Sequence, residues 1–250
     1  MLKNLIIIIL GIFFFNFQVM ADGHKIYGPF PITLKDYSGD KTNSVKYTGQ
    51  MARHVLHDSL KALVKTGDVS KMMAYFNGDD GLEIVAPKSK DDFKVKQSMV
   101  AEIGSGNLSG KTYKGAVAGW GNLTGKEVLE HMITKAGEID GGFDPNTGFD
   151  YTQLISKFAM GAVFYNQAAN NYLGKKMEIG QKPNNKPYKE GAYYTGKEHS
   201  WDEAFGYWGS AAHALTLTAE QNYNVAKKKD MASADYNGDG VVDLYSEYTF

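Results

Sequence analysis

Cysteine is absent from all 250 residues. That excludes disulfides, thiol catalysis, iron–sulfur clusters, thioether-linked haem and cysteine-type zinc sites. It also excludes a lipid anchor on cysteine. Charge of a single sign is missing too: the formal net charge is −1, with 27 basic and 28 acidic residues. No long basic stripe interrupts this balance, so a nucleic-acid partner is not expected. Long apolar runs are scarce. The one candidate extends from Leu5 to Phe15, short of the ~20 residues a membrane span needs.

That run is preceded by Lys3 and followed by Asn16, Gln18 and the small-residue site Val19-Met20-Ala21. This is the three-part pattern of a cleavable secretory signal. Residues 1–21 are therefore expected to be removed, and the chain is expected to act in the periplasm or outside the cell. No transmembrane span remains after cleavage, and a cell-envelope partner is a natural expectation. Residues 22–250 are enough to build a core without disulfides. The 16 Tyr and 13 Phe predict an aromatic-rich one.

Hydrophobic spacing predicts an all-α fold, an irregular helical bundle with long loops, in a helical domain over 22–234. Residues 22–47 read as an extended lead-in carrying Pro29, Pro31 and Gly39. A first helix is expected over 48–65, with Thr48 as its cap. Its apolar side holds Met51, Val55, Leu56, Leu60, Leu63 and Val64. A short helix over 70–76 precedes a long loop over 77–123. Thr124-Gly125-Lys126-Glu127 is a capping box opening a helix that Gly137 stops. Asp150 caps the next, which is apolar all round and so expected to be the buried central helix, with Gly161 admitting a close neighbour. A loop over 174–198 leads to a last long helix over 200–229, with Trp201, Phe205, Trp208, Ala212 and Leu215 on one face.

The most specific chemical motif is Asp235-Tyr-Asn237-Gly-Asp239-Gly240-Val241-Val242-Asp243. Calcium takes six to eight oxygen ligands, and EF-hand loops supply them at fixed positions. Asp235, Asn237 and Asp239 fall at positions one, three and five. Gly240 takes the sharp turn, Val241 offers its carbonyl, and Asp243 binds directly or through water. Position twelve holds Ser246 instead of Glu, and Glu247 comes one residue late. A weakly bound, EF-hand-like structural calcium pinning residues 235–250 is expected. The alternative is a plain Asx-rich turn.

Two histidine arrangements also stand out. His54 and His57 fall opposite the apolar stripe of their helix and are expected to be solvated. His199 and Glu203 could be neighbours one turn apart, a pair suited to metal binding or proton transfer. The competing and preferred reading makes Ser200 and Glu203 a capping box, leaving His199 outside the helix. On a straight helix His213 lies about 21 Å from His199, too far to share a metal with it; His24 and His131 complete the six histidines. Trp120, Trp201, Trp208 and the Tyr-rich segment 188–194 admit a third possibility, a carbohydrate-facing surface.

Three stretches together resemble the domain-of-unknown-function family 4856: Val45-Lys-Tyr-Thr-Gly49-Gln50-Met51-Ala-Arg53, Leu154-Ile-Ser-Lys157-Phe-Ala-Met160-Gly161-Ala162, and Trp201-Asp202-Glu203-Ala204-Phe205-Gly206-Tyr207-Trp208-Gly209. The resemblance implies an exported helical protein, similar in style to imelysin-like proteins of iron-associated systems. In the imelysin motif a Glu follows the His by three residues; here Asp202 holds that spacing from His199, and Glu203 comes one later. Members of the family tend to run longer, so the end at Phe250 suggests a truncated chain. The leading expectation is an exported binding or structural protein of unknown ligand with one calcium loop. The rival is a metal-dependent hydrolase, or a protein handling iron or haem, built on His199 and Glu203.

Overall fold

A computed structural model describes residues 27–28, 30–90 and 92–250. The expected signal over 1–21, with His24 and Pro29, lies outside the described residues. The described chain is mainly helical. Its seven α-helices are α1 (Thr48–Leu63), α2 (Val69–Asn77), α3 (Gly125–Gly137), α4 (Tyr151–Ala159), α5 (Gly196–Trp208), α6 (Ala219–Ala226) and α7 (Met231–Ala234). A two-residue antiparallel hairpin, β1 (Phe143–Asp144) with β2 (Phe149–Asp150), leads into α4. The all-α expectation is corrected to that extent.

Local signals place most helix ends. Asp68 caps α2, Asp150 caps α4, and Thr124 with Glu127 forms the reciprocal capping box of α3. Tyr47, without a side-chain cap, precedes α1, so Thr48 is the first helical residue and not the cap. The α4 helix passes directly into a π-helical segment over Met160–Gly174. Residues 77–123 are mostly loop, with single 3₁₀ turns at Val100–Glu102 and Ser109–Lys111.

The central helix is α1, not the 150–174 stretch. Its apolar stripe is buried as expected, but so are Gln50, Arg53, His54, His57 and Ser59. α2, α4 and α5 surround it. His54 stacks on Phe164 at 4.2 Å and on Phe250 at 5.1 Å, and its Nε2 lies 3.0 Å from the Gly206 carbonyl. His57 Nε2 lies 3.2 Å from the Ser156 carbonyl. The expected solvated histidines are therefore core histidines. Burial holds the His54 imidazole down to about 4. Conversely, Met160, Tyr165 and Leu173 of the π segment face outward.

The close helix contact belongs to Gly206, not Gly161. A Cβ on Gly206 would sit 2.6 Å from the Gln50 Cβ, whereas one on Gly161 would meet nothing within 4 Å. The expected helix over 200–229 is also broken. Gly209 ends α5 in the left-handed conformation (φ 74°), which glycine adopts without cost. The chain end then returns to the core: Val242, Leu244, Tyr245 and Tyr248 are buried in the same cluster as α1. Val242 pairs with Val95 as an isolated parallel bridge, and the Phe250 N–H donates to the Gly209 carbonyl.

Candidate functional site

The α5 helix begins at Gly196, capped by Thr195. Its hydroxyl accepts from the Glu198 N–H at 3.2 Å, and the Glu198 carboxylate accepts from the Thr195 N–H at 2.7 Å. The expected cap at Ser200 is thereby overturned. Ser200 lies inside the helix, its hydroxyl donating to the Gly196 carbonyl. The reason is local. Thr195-Gly-Lys-Glu198 repeats the tetrapeptide that opens α3, and it comes first along the chain.

With His199 inside the helix, Glu203 sits one turn below it. The His199 Nε2 lies 3.6 Å from the Glu203 carboxylate, beyond hydrogen-bond length. His199 stacks on Tyr194 at 4.5 Å. Burial lowers its pKa, so the imidazole is neutral at pH 7. Its Nδ1 is buried without a hydrogen-bond partner. Glu203 gathers groups from three other elements. Its Oε1 accepts from Gln50 Nε2 of α1 at 2.8 Å and from the Tyr172 hydroxyl of the π segment at 3.0 Å. Lys176 Nζ, just beyond that segment, lies 3.9 Å from Oε2 and 3.4 Å from the Tyr172 ring centroid. Burial brings the Lys176 ammonium down to about 8.

Arg53 lies behind this group. Its Nε donates to the Asn107 carbonyl and its Nη1 to the Gly49 carbonyl, both at 2.9 Å. The guanidinium carbon is 5.7 Å from the Tyr207 ring centroid. Gln50, Arg53, Tyr172, Lys176 and Tyr207 escaped the functional reading of the sequence. Gln50 and Arg53 fall within a family-like stretch, and Tyr207 within another. No spacing rule joins residues from α1, the π segment and α5, because only their packing does.

Asp202 is turned to a different partner. Its carboxylate accepts from the Tyr27 hydroxyl and, at 3.1 Å, from the Lys46 N–H. Burial raises its pKa to about 7. His199 and Asp202, the pair at imelysin spacing, thus serve separate clusters.

In the C-terminal loop, Asp235 accepts from the N–H groups of Gly238, Asp239 and Gly240 at 2.8, 3.1 and 2.8 Å. Asn237 Oδ1 accepts from the Asp239 N–H and Asp239 Oδ1 from the Val241 N–H. Glu247 folds back over the loop, accepting from the N–H groups of Asn237 at 3.2 Å and Asp243 at 2.9 Å. Asp243 engages Lys96 at 3.2 Å and Gln97 at 2.7 Å. As these side chains stand, no three His, Asp or Glu residues among the described residues converge into a metal-holding group. Around His199 and Glu203 the nearby ammonium of Lys176 also opposes a metal cation.

Trp201 and Trp208 are exposed on α5, while Trp120 packs partly against the core. Two surface recesses lie elsewhere. One, of about 420 Å³, runs between residues 113–118 and the π segment. The other, of about 730 Å³, lies between residues 33–39 and the 184–195 segment. No helix among the described residues is long and apolar enough to cross a membrane.

These features define a mainly helical domain with a buried polar cluster where α1, α5 and the π segment meet, and an Asx-rich loop closing its C-terminal end. The family model of DUF4856, a domain of unknown function, matches residues 35–239. The chain belongs to that family. Neither curated proteins nor solved structures provide a match.

Proposed function

We propose that this DUF4856 protein is an exported, non-enzymatic binding or structural protein whose C-terminal segment is clamped by one calcium ion. The supporting observation is Glu247. The residue is 1% exposed, and its carboxylate is drawn over the loop by two backbone N–H groups. Burial raises its pKa, and the charges of Asp243 and Asp239 raise it further. A divalent cation would relieve that repulsion.

The donor set suits a hard cation. Asp235, Asn237 and Asp239 accept backbone N–H groups, yet a carboxylate oxygen can accept more than one contact. These three side chains, the Val241 carbonyl and Glu247 would hold the ion, which would neutralise the loop. Asp243, occupied by Lys96 and Gln97, would tie the loop to residues 94–97. Ser246 at position twelve forfeits the usual bidentate ligand, so binding is weak.

Calorimetric titration of the purified protein with calcium tests this, with Asp235→Ala and Asp239→Ala as controls. Saturable binding that both substitutions abolish is the expected result. No heat at millimolar calcium would reduce the loop to a turn held by its own Asx hydrogen bonds. The rival metal, haem or hydrolase reading at His199 and Glu203 has less support, because Lys176 competes for the Glu203 carboxylate.

A further inference from the structure

The polar cluster beside Glu203 carries an excess of positive charge that its own carboxylate does not balance. Arg53 is buried, and its hydrogen bonds run to neutral backbone carbonyls. Lys111 ends the 3₁₀ turn Ser109–Lys111, which Gln167 of the π segment holds through the Lys111 carbonyl at 2.7 Å. Lys176 lies 3.9 Å from Glu203. Among the described residues, no carboxylate lies within ion-pair distance of Arg53 or Lys111. Three cations thus face one carboxylate.

Their charges bear on one another and on Glu203. Lys111 is lowered by burial and next by Arg53, with Glu203 opposing the shift. Lys176 is lowered by burial, with Lys111 and Lys182 adding to the effect against Glu203. Buried charge without a counter-charge is costly. Arg53 is buried, Lys111 and Lys176 are half-buried, and Glu203 is the single carboxylate set against them.

Tyr207 supplies an independent observation. It is 2% exposed and its hydroxyl has no hydrogen-bond partner. Its ring centroid is 5.7 Å from the Arg53 guanidinium carbon and 5.5 Å from the Tyr172 ring centroid. A buried hydroxyl with an unused donor beside a cationic cluster is the arrangement expected of a group waiting for an acceptor.

We propose that Arg53, Lys111 and Lys176, with the Tyr207 hydroxyl, form a binding site for an oxyanion, the phosphate or carboxylate group of a small ligand. An oxyanion supplies both missing features, negative charge for the cations and an acceptor for the tyrosine. Glu203 then holds Lys176 and Gln50 in position at the edge of the site. Neutral His199 beside it can accept from a hydroxyl or amine on the same ligand. This inference is independent of the calcium loop.

The test is titration of the full purified chain with inorganic phosphate and, separately, with acetate, at constant ionic strength in sodium chloride. Saturable binding of at least one anion is expected. Lys111→Met and Lys176→Met should each weaken it on the order of tenfold, as for a charge-assisted contact. Tyr207→Phe, which removes one oxygen, should weaken it about three- to tenfold. Preference for phosphate identifies a phosphorylated ligand, and preference for acetate a carboxylate ligand. If Lys111→Met fails to melt cooperatively, Tyr207→Phe makes the same comparison. Absence of saturable binding to either anion, or binding that Tyr207→Phe and both lysine variants leave unchanged, overturns the proposal. Asp235→Ala should leave anion binding intact, so the two sites fail separately.

Discussion

Gly206 is the point at which α5 meets the central helix, and enlarging it gives a direct measure of that packing. In Gly206→Ala the new Cβ would stand 2.6 Å from the Gln50 Cβ and 2.9 Å from the Tyr47 Cβ. Neither neighbour can swing aside, because a Cβ moves only with its backbone. Forcing a methyl into a packed interface costs about 1–3 kcal/mol, and two rigid neighbours place this case near the upper end. Alanine in place of glycine returns about 1 kcal/mol of helix propensity. The net loss is about 2 kcal/mol, which for a domain of this size lowers the melting temperature by about 4–8 °C. Gly161→Ala is the control: with open space around its Cβ, it should be neutral or stabilising by up to about 1 kcal/mol. Both are read by thermal melts followed by circular dichroism. A Gly206→Ala protein melting at or above the wild-type temperature would refute the close contact between α1 and α5.

The pH dependence separates two buried groups. Asp202, raised to about 7, binds its proton more tightly in the folded state, so its contribution to stability grows as pH falls from about 7 toward 4. His54, lowered to about 4, does the reverse: the unfolded chain takes up the proton near 6.5, and stability falls over the same window. In Asp202→Asn the losses from His54 and His199, both lowered by burial, are no longer offset by Asp202, so this variant should lose stability more steeply than wild type in urea melts between pH 7 and 4. Equal slopes would place the Asp202 titration elsewhere. Thr195→Ala should cost about 1 kcal/mol or more by removing the α5 cap, while Ser200→Ala should be nearly neutral; equilibrium unfolding of the two variants ranks them. The reverse ranking would return the start of α5 to Ser200.

Much of the helical framework was legible because its signals are local. Asp150 with Gln153 and Thr124 with Glu127 mark helix starts through bonds spanning three residues. Gly137, expected to stop its helix, is the last residue of α3. Thr195-Gly-Lys-Glu198 is equally local, repeating the tetrapeptide of Thr124–Glu127, and it outcompetes the S-x-x-E pattern at Ser200. The stretches resembling the family lie within the 35–239 match. The loop chemistry of Asp235, Asn237 and Asp239 is likewise local, since each side chain accepts from N–H groups a few residues ahead.

Which helix lies at the centre was not legible. An apolar stripe predicts one buried face, but the other face of α1 is covered by α5, by the π segment and by Phe250, all distant in sequence. His54 and His57 became core residues because backbone carbonyls of Gly206 and Ser156 meet their ring nitrogens. The 150–174 run read as central because its residues are apolar on several sides, yet Tyr165 is 67% exposed. Glu203 gained its partners in the same way: Gln50, Tyr172, Lys176 and His199 belong to α1, to the π segment and the turn after it, and to α5. The cap-and-stop signals and the Asx-rich loop are properties of neighbours along the chain and can be read from residue order. Only tertiary packing decided which polar groups are buried together, because desolvation and charge balance depend on distances in space.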